Sequence, residues 1–218
     1  MFRVPSIAEI ILRAITFLIA MAVHEFAHAY AAYRMGDTTA RDMGRMTLNP
    51  IKNIDWFGFL MAIAIGFGFL GSAPVNERRM RNPRLGMLVA VAAGPVSNLL
   101  LAALCAIPFW FGLSWSDGPS ARAFAPTVSD LFSRMVWINL VLFLFNLIPL
   151  YPLDGWTIML KLVPPDLAFT LSRYQQQAMF LFFALIFLGF VGINVFSYII
   201  SPPLIFLLRA MIPQRAFF

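Results

Sequence analysis

The stretch His24-Glu25-Phe26-Ala27-His28 follows the apolar run 15–23 without interruption, and its reading decides the rest. These are the only two histidines in 218 residues. On an α-helix a separation of four is slightly more than one turn, so both imidazoles leave one face, about 6 Å apart along the axis. Two neutral ring nitrogens at that spacing can hold one Zn²⁺. The glutamate between them can take a proton from water that the metal activates. This is the pattern of a metalloprotease helix, set here in a membrane-type run. The plainer reading is a proton relay or a polar contact inside a helix bundle.

Composition supports a membrane protein. Hydrophobic residues make up 61% of the chain and charged residues 12%, and mean hydropathy is +0.80. A soluble domain carries about twice that charged fraction. The formal charge of +6 does not point to nucleic acid, because the basic residues lie between apolar runs and read as topology determinants. A single cysteine, Cys105, excludes a disulfide framework or a cysteine-based zinc site within the chain. Arg13 interrupts the first apolar run, which speaks against a cleavable signal peptide. No internal repeat or low-complexity tract is evident, so 1–218 reads as one membrane-embedded domain.

In chain order, 7–34 is expected as the first long helix, stopped by Gly36 and Asp37. Residues 38–55 are polar and helix-poor, and suit short extended segments and turns. The apolar piece 56–71 is only 16 residues long and carries Gly58, Gly66, Gly68 and Gly71, which weaken a spanning helix. Spans are expected over 85–112, 131–155 (broken by Pro149 and Pro152 just before Asp154) and 178–200. The expected fold is thus all-α and polytopic, with five to six membrane helices and a re-entrant β region within 38–84.

Positive charge decides whether 56–71 crosses. With the N-terminus outside and 56–71 spanning, Lys and Arg through residue 177 divide five inside to seven outside, leaving aside Arg13 and Arg134 within spans. With 56–71 re-entrant, the division is ten inside to two outside. The re-entrant arrangement is favoured. It places the His pair in the cytosolic half of one helix and Asp154 at the cytosolic end of another, at matching depth.

A catalytic zinc usually takes three protein ligands, leaving a position for water. With two histidines present, the third ligand is a carboxylate or the lone cysteine. Asp154 is the best candidate, because it sits at a proline-broken helix end where freed backbone can line a cavity.

Three stretches together resemble the site-2 protease family: His24-Glu25-Phe26-Ala27-His28, Gly94-Pro95-Val96-Ser97-Asn98, and the run Asn146-Leu147-Ile148-Pro149-Leu150-Tyr151-Pro152-Leu153-Asp154-Gly155. Gly44-Arg45-Met46-Thr47-Leu48-Asn49-Pro50 and Ala73-Pro74-Val75-Asn76 are also similar to that family, so the likeness covers about 15–160. The resemblance implies zinc-dependent intramembrane cleavage, with one Zn²⁺ on His24, His28 and Asp154 and Glu25 as general base. It implies that Asn98 and Asn146 bind the substrate backbone or the developing oxyanion. It further implies that 38–55 pairs with an unwound substrate by strand addition. The implied setting is a bacterial cytoplasmic membrane, with the site nearer the cytosol. The implied partners are the lipid bilayer and single-span membrane substrates, with room for a regulatory membrane partner. Asn53-Ile54-Asp55-Trp56 departs from the family's His-Ile-Asp-Pro, and no PDZ or CBS module is expected. Competing readings are a transporter or channel using His24, Glu25, His28 and Asp154 as a proton or metal pathway, and an inert membrane scaffold.

Overall fold

Ser6 starts the first helix, its hydroxyl accepting the Glu9 N–H, and α1 then runs Ile7–Arg34. At 1.5 Å per residue, 28 residues reach about 42 Å, enough to cross a bilayer core of about 30 Å. Its two sides differ. Ile7, Ile11, Ile15 and Ile19 form an exposed apolar stripe, while Ala8, Leu12, Thr16, Ala20, His24, His28 and Ala32 face inward at the same spacing of four. An apolar exterior around a partly polar interior is what a helix needs when its solvent is lipid.

The computed structural model describes residues 5–53, 55–56, 58–60, 73–119 and 124–217. After α1 come a single helical turn, α2 (Thr39–Asp42), and a 3₁₀ turn over Pro50–Lys52 capped by the Asn49 side chain. No strand occurs among the described residues, so the β region expected between α1 and the Gly-Pro-x-x-Asn helix is not found there. The polar residues of 38–55 instead serve local caps and turns, and among the described residues a strand has no partner edge to pair with. Most of the re-entrant piece expected at 56–71 lies outside the described residues.

Helix α3 (Pro83–Trp110) begins with Asn82 as its cap and Pro83 in its first turn. Helix α4 (Val128–Asn146) begins with a reciprocal capping box between Thr127 and Asp130. Then follow α5 (Asp154–Leu162), α6 (Pro165–Ser172), α7 (Gln175–Phe190) and α8 (Val195–Met211). Helix α3 packs against α1, α4 and α5, and α4 also meets α1 and α8. The largest core cluster joins Ala102, Ala106 and Phe109 of α3 to Val136 and Leu140 of α4 and to Ile200 and Leu204 of α8. Small residues on α3 allow that close approach, as in membrane helix packing generally.

Among the described residues, three helices (α1, α3 and α4) are long and apolar enough to cross a membrane, or up to four if the bent pair α7–α8 counts as one. The expected count was five to six. The difference lies partly in 178–200, expected as one continuous span. There the chain turns by 87° between α7 and α8, where Gly192 has φ +97° and the Asn194 side chain caps the new helix. Pro202 and Pro203 lie inside α8.

Candidate metal centre

The site forms where α1, α3 and the start of α5 meet. Periodicity puts His24 and His28 on the buried face of α1, and Gly94 of α3 lies directly across from them. A Cβ on Gly94 would stand 2.3 Å from His28 Nε2 and 2.7 Å from His24 Nε2, so only glycine leaves room for both rings. Gly155 has a similar function at the other wall. A Cβ there would meet the Ile148 and Leu147 carbonyl oxygens at 2.3 and 2.5 Å, so glycine lets α5 start tight against the end of α4. The far end of α5 is tied down by Arg84 of α3, whose guanidinium donates to the Lys161 carbonyl at 2.9 Å and also to the Val163 carbonyl. Asp154, the first residue of α5, is thereby brought up to the histidines.

Each ring is oriented from behind. His28 Nδ1 lies 2.9 Å from the Ala90 carbonyl oxygen, which can only accept, so the proton is on Nδ1. His24 Nδ1 lies 2.6 Å from Asn98 Oδ1 and donates to it. Both Nε2 atoms therefore turn bare lone pairs into the site, 2.9 Å from each other. Asp154 Oδ2 sits 3.2 Å from one and 3.3 Å from the other, buried and without a hydrogen bond. Three acceptors aimed at one point with no proton among them repel each other unless a cation lies between. Their spacing fits one, since ligand atoms about 2 Å from a tetrahedral centre lie about 3.3 Å apart. All candidate ligand atoms lie within 4.8 Å of one another, and this is the single such cluster among the described residues.

Glu25 is buried beside the pair, and its Oε2 accepts the backbone N–H of Ala73 at 2.7 Å. The segment 73–76 is held at its other end by Asp37, whose Oδ2 accepts the Asn76 N–H at 2.6 Å and whose Oδ1 accepts from Thr39. Burial would raise the Asp37 pKa. The hydrogen bonds from Asn76 and Thr39 outweigh it and hold the carboxyl below the usual carboxylate range. A cavity of about 530 Å³ opens beside the site, lined by His24, Glu25, His28 and Asp154 and by apolar groups including Met21, Met87, Val91, Leu142, Phe145 and Phe182.

The remaining expected residues separate. Asn146 lines the cavity, with one amide N–H donated to the Leu142 carbonyl. Asn98 is fully buried behind His24, and its amide N–H groups go to the Ala20 carbonyl (3.2 Å) and Asn139 Oδ1 (2.7 Å). It has no N–H left to offer a substrate. Cys105, the alternative ligand, packs into the core cluster of α3, α4 and α8. Sequence reasoning passed over Asn139, fully buried on α4. A lone asparagine in an apolar run was the one available signal.

The family model described as Peptidase family M50 matches residues 113–190. A Bacillus subtilis protein named "Putative zinc metalloprotease YwhC" is 40% identical over 194 residues, covering 87% of this chain and 84% of that protein. A Mycolicibacterium smegmatis protein named "Putative zinc metalloprotease Rip2" is 28% identical over 206 residues, covering 84% of this chain and 74% of that one. The Mycobacterium tuberculosis protein of the same name is 27% identical over 179 residues. No solved structure gives a significant match.

Proposed function

Because the chain belongs to peptidase family M50, we propose that it is an intramembrane zinc metalloprotease, hydrolysing peptide bonds in or beside the membrane segment of anchored proteins. The observation that carries this is the convergence of three proton-free acceptors, His24 Nε2, His28 Nε2 and Asp154 Oδ2, next to the buried carboxylate of Glu25. In this reading the three acceptors hold one Zn²⁺ per chain, and the relatives' names agree with that metal. Bound there, zinc supplies Lewis acidity, acidifying water and polarising the scissile carbonyl.

The chain's own residues supply the remaining parts. Glu25 takes the proton of the attacking water and returns it to the leaving amine. The Ala73 N–H holds one of its carboxylate oxygens and so leaves the other for water. In this reading Asn146, on the cavity wall, donates to the substrate's backbone or its developing oxyanion. A membrane helix hides its carbonyls in its own hydrogen bonds, so the substrate must unwind locally before attack. The non-helical segment 73–76, whose Ala73 and Val75 face the cavity, is the edge against which an unwound chain would lie. The apolar lining favours apolar side chains beside the scissile bond.

This reading sets the protein in a bacterial cytoplasmic membrane, with the site nearer the cytosol, as the distribution of Lys and Arg favours. Its substrates are single-span membrane proteins, and a regulatory membrane partner would govern their access. Neither the relatives' names nor the geometry favours a transporter or channel. The test is incubation of the purified protein with tagged single-span peptides carrying helix-breaking residues. Cleavage near the membrane segment that stops with a zinc chelator and returns with Zn²⁺ is the expected result. Cleavage indifferent to the chelator would refute the reading.

A further inference from the structure

The two histidines reach the same tautomer by different routes, and the difference assigns a role to Asn139. His28 is fixed in one step, since the Ala90 carbonyl accepts its Nδ1–H. Among the described residues no main-chain carbonyl meets His24 Nδ1, whose partner is an amide side chain that can face either way. The chain of bonds behind that amide removes the ambiguity. Asn139 lies 2.8 Å from the Met135 carbonyl, which can only accept, so Asn139 turns its NH₂ there. Its Oδ1 then faces Asn98 at 2.7 Å and demands an N–H. The second Asn98 N–H goes to the Ala20 carbonyl at 3.2 Å. Asn98 thus has only its oxygen left for His24, and the ring must donate from Nδ1. Asn98 and Asn139 are both fully buried, so water cannot substitute for any link.

We infer that Asn139 is a positioning residue for the metal centre: together with the Ala20 carbonyl, whose 3.2 Å bond is the longer of the two, it orients Asn98 so that His24 Nε2 is committed to the metal. A flipped Asn98 would set its oxygen against two acceptors, Ala20 O and Asn139 Oδ1, and Asn139 cannot yield because Met135 holds it. Partners behind a ligating histidine commonly change metal affinity by about 10–100-fold. The inference rests on the zinc reading above.

The test uses purified full-length protein, zinc competition against a chelator, and selective ¹⁵N labelling of histidine. With two histidines in the chain, four ring nitrogens report everything. In the zinc-loaded wild type both rings should show a hydrogen-bonded Nδ1–H. N139L should bind zinc about 10-fold or more weakly, with the His24 Nδ1–H signal shifted or in faster exchange and that of His28 unmoved. N139D, whose carboxyl enters this buried site protonated, can donate its O–H to the Met135 carbonyl and still accept from Asn98, and should restore both affinity and signal. Should N139L fail to fold, N139A is read by the same criteria. Unchanged affinity in the folded variant overturns the inference. So does weakened affinity with both rings altered alike, or with neither altered, because either marks a merely structural role. A wild type that binds no zinc would instead overturn the zinc reading itself.

Discussion

Glu25 Oε2 accepts the Ala73 backbone N–H at 2.7 Å, so the buried glutamate of α1 is fixed by a segment 48 residues away. A carboxylate held by one oxygen keeps the other for a proton. Glu25→Gln can keep the bond to Ala73 through its amide oxygen, but its NH₂ cannot accept the proton of water. Retained zinc with cleavage lowered about 10²–10⁴-fold is expected, measured by metal analysis and single-turnover assay. Activity within a few-fold of wild type would remove the general-base role.

Glycine at 94 and 155 leaves space that any side chain would fill. In Gly94→Ala the new methyl group would meet the His28 and His24 rings, and in Gly155→Ala it would meet backbone carbonyls that cannot give way. Alanine is the better helix former by about 1 kcal/mol, so the helices themselves should hold. Both variants should keep wild-type helicity by circular dichroism and lose zinc to a chelator that the wild type resists.

Asp154 and Cys105 were the two alternatives for a third ligand. Asp154→Asn should weaken zinc retention sharply, because it removes the one anionic acceptor of the cluster. Cys105→Ser should leave retention unchanged, since Cys105 packs with the core cluster of α3, α4 and α8. The reverse ordering in a chelator competition would reassign the ligand.

Asp37 gives the fold a defined acid sensitivity. Its folded pKa lies below the ordinary carboxylate value of about 3.9, so its stabilisation is complete above roughly pH 4 and is lost as pH falls through the lower folded value. Asp37→Asn should therefore unfold at lower temperature than wild type near neutral pH, with the gap narrowing on acidification. A gap that is constant or widens below pH 4 would show that the ionised carboxyl is not what holds Thr39 and Asn76.

The parts legible in the sequence were those with a period or a motif. Spacing alone put His24 and His28 on one buried face, and matching membrane depth brought Asp154 to them. The hydrogen bonds among Asn98, Asn139 and His24 were not legible, because an asparagine in an apolar run announces a buried partner without naming it. The turn at Gly192 was not legible because the apolar run continues on both sides of it. Polar residues in 38–55 suggested strands because short extended pieces and capped turns share a composition. Only the neighbours decide between them.

The proposed activity needs one zinc held by two imidazoles and one carboxylate drawn from α1 and α5. Zinc X-ray absorption on the purified protein, with metal content counted per chain, tests this most directly. The expected result is one zinc per chain, in a shell of nitrogen and oxygen at about 2.0–2.2 Å with two imidazole signatures and no sulfur. A sulfur neighbour at about 2.3 Å, or a folded wild-type protein that takes up no zinc, would contradict it.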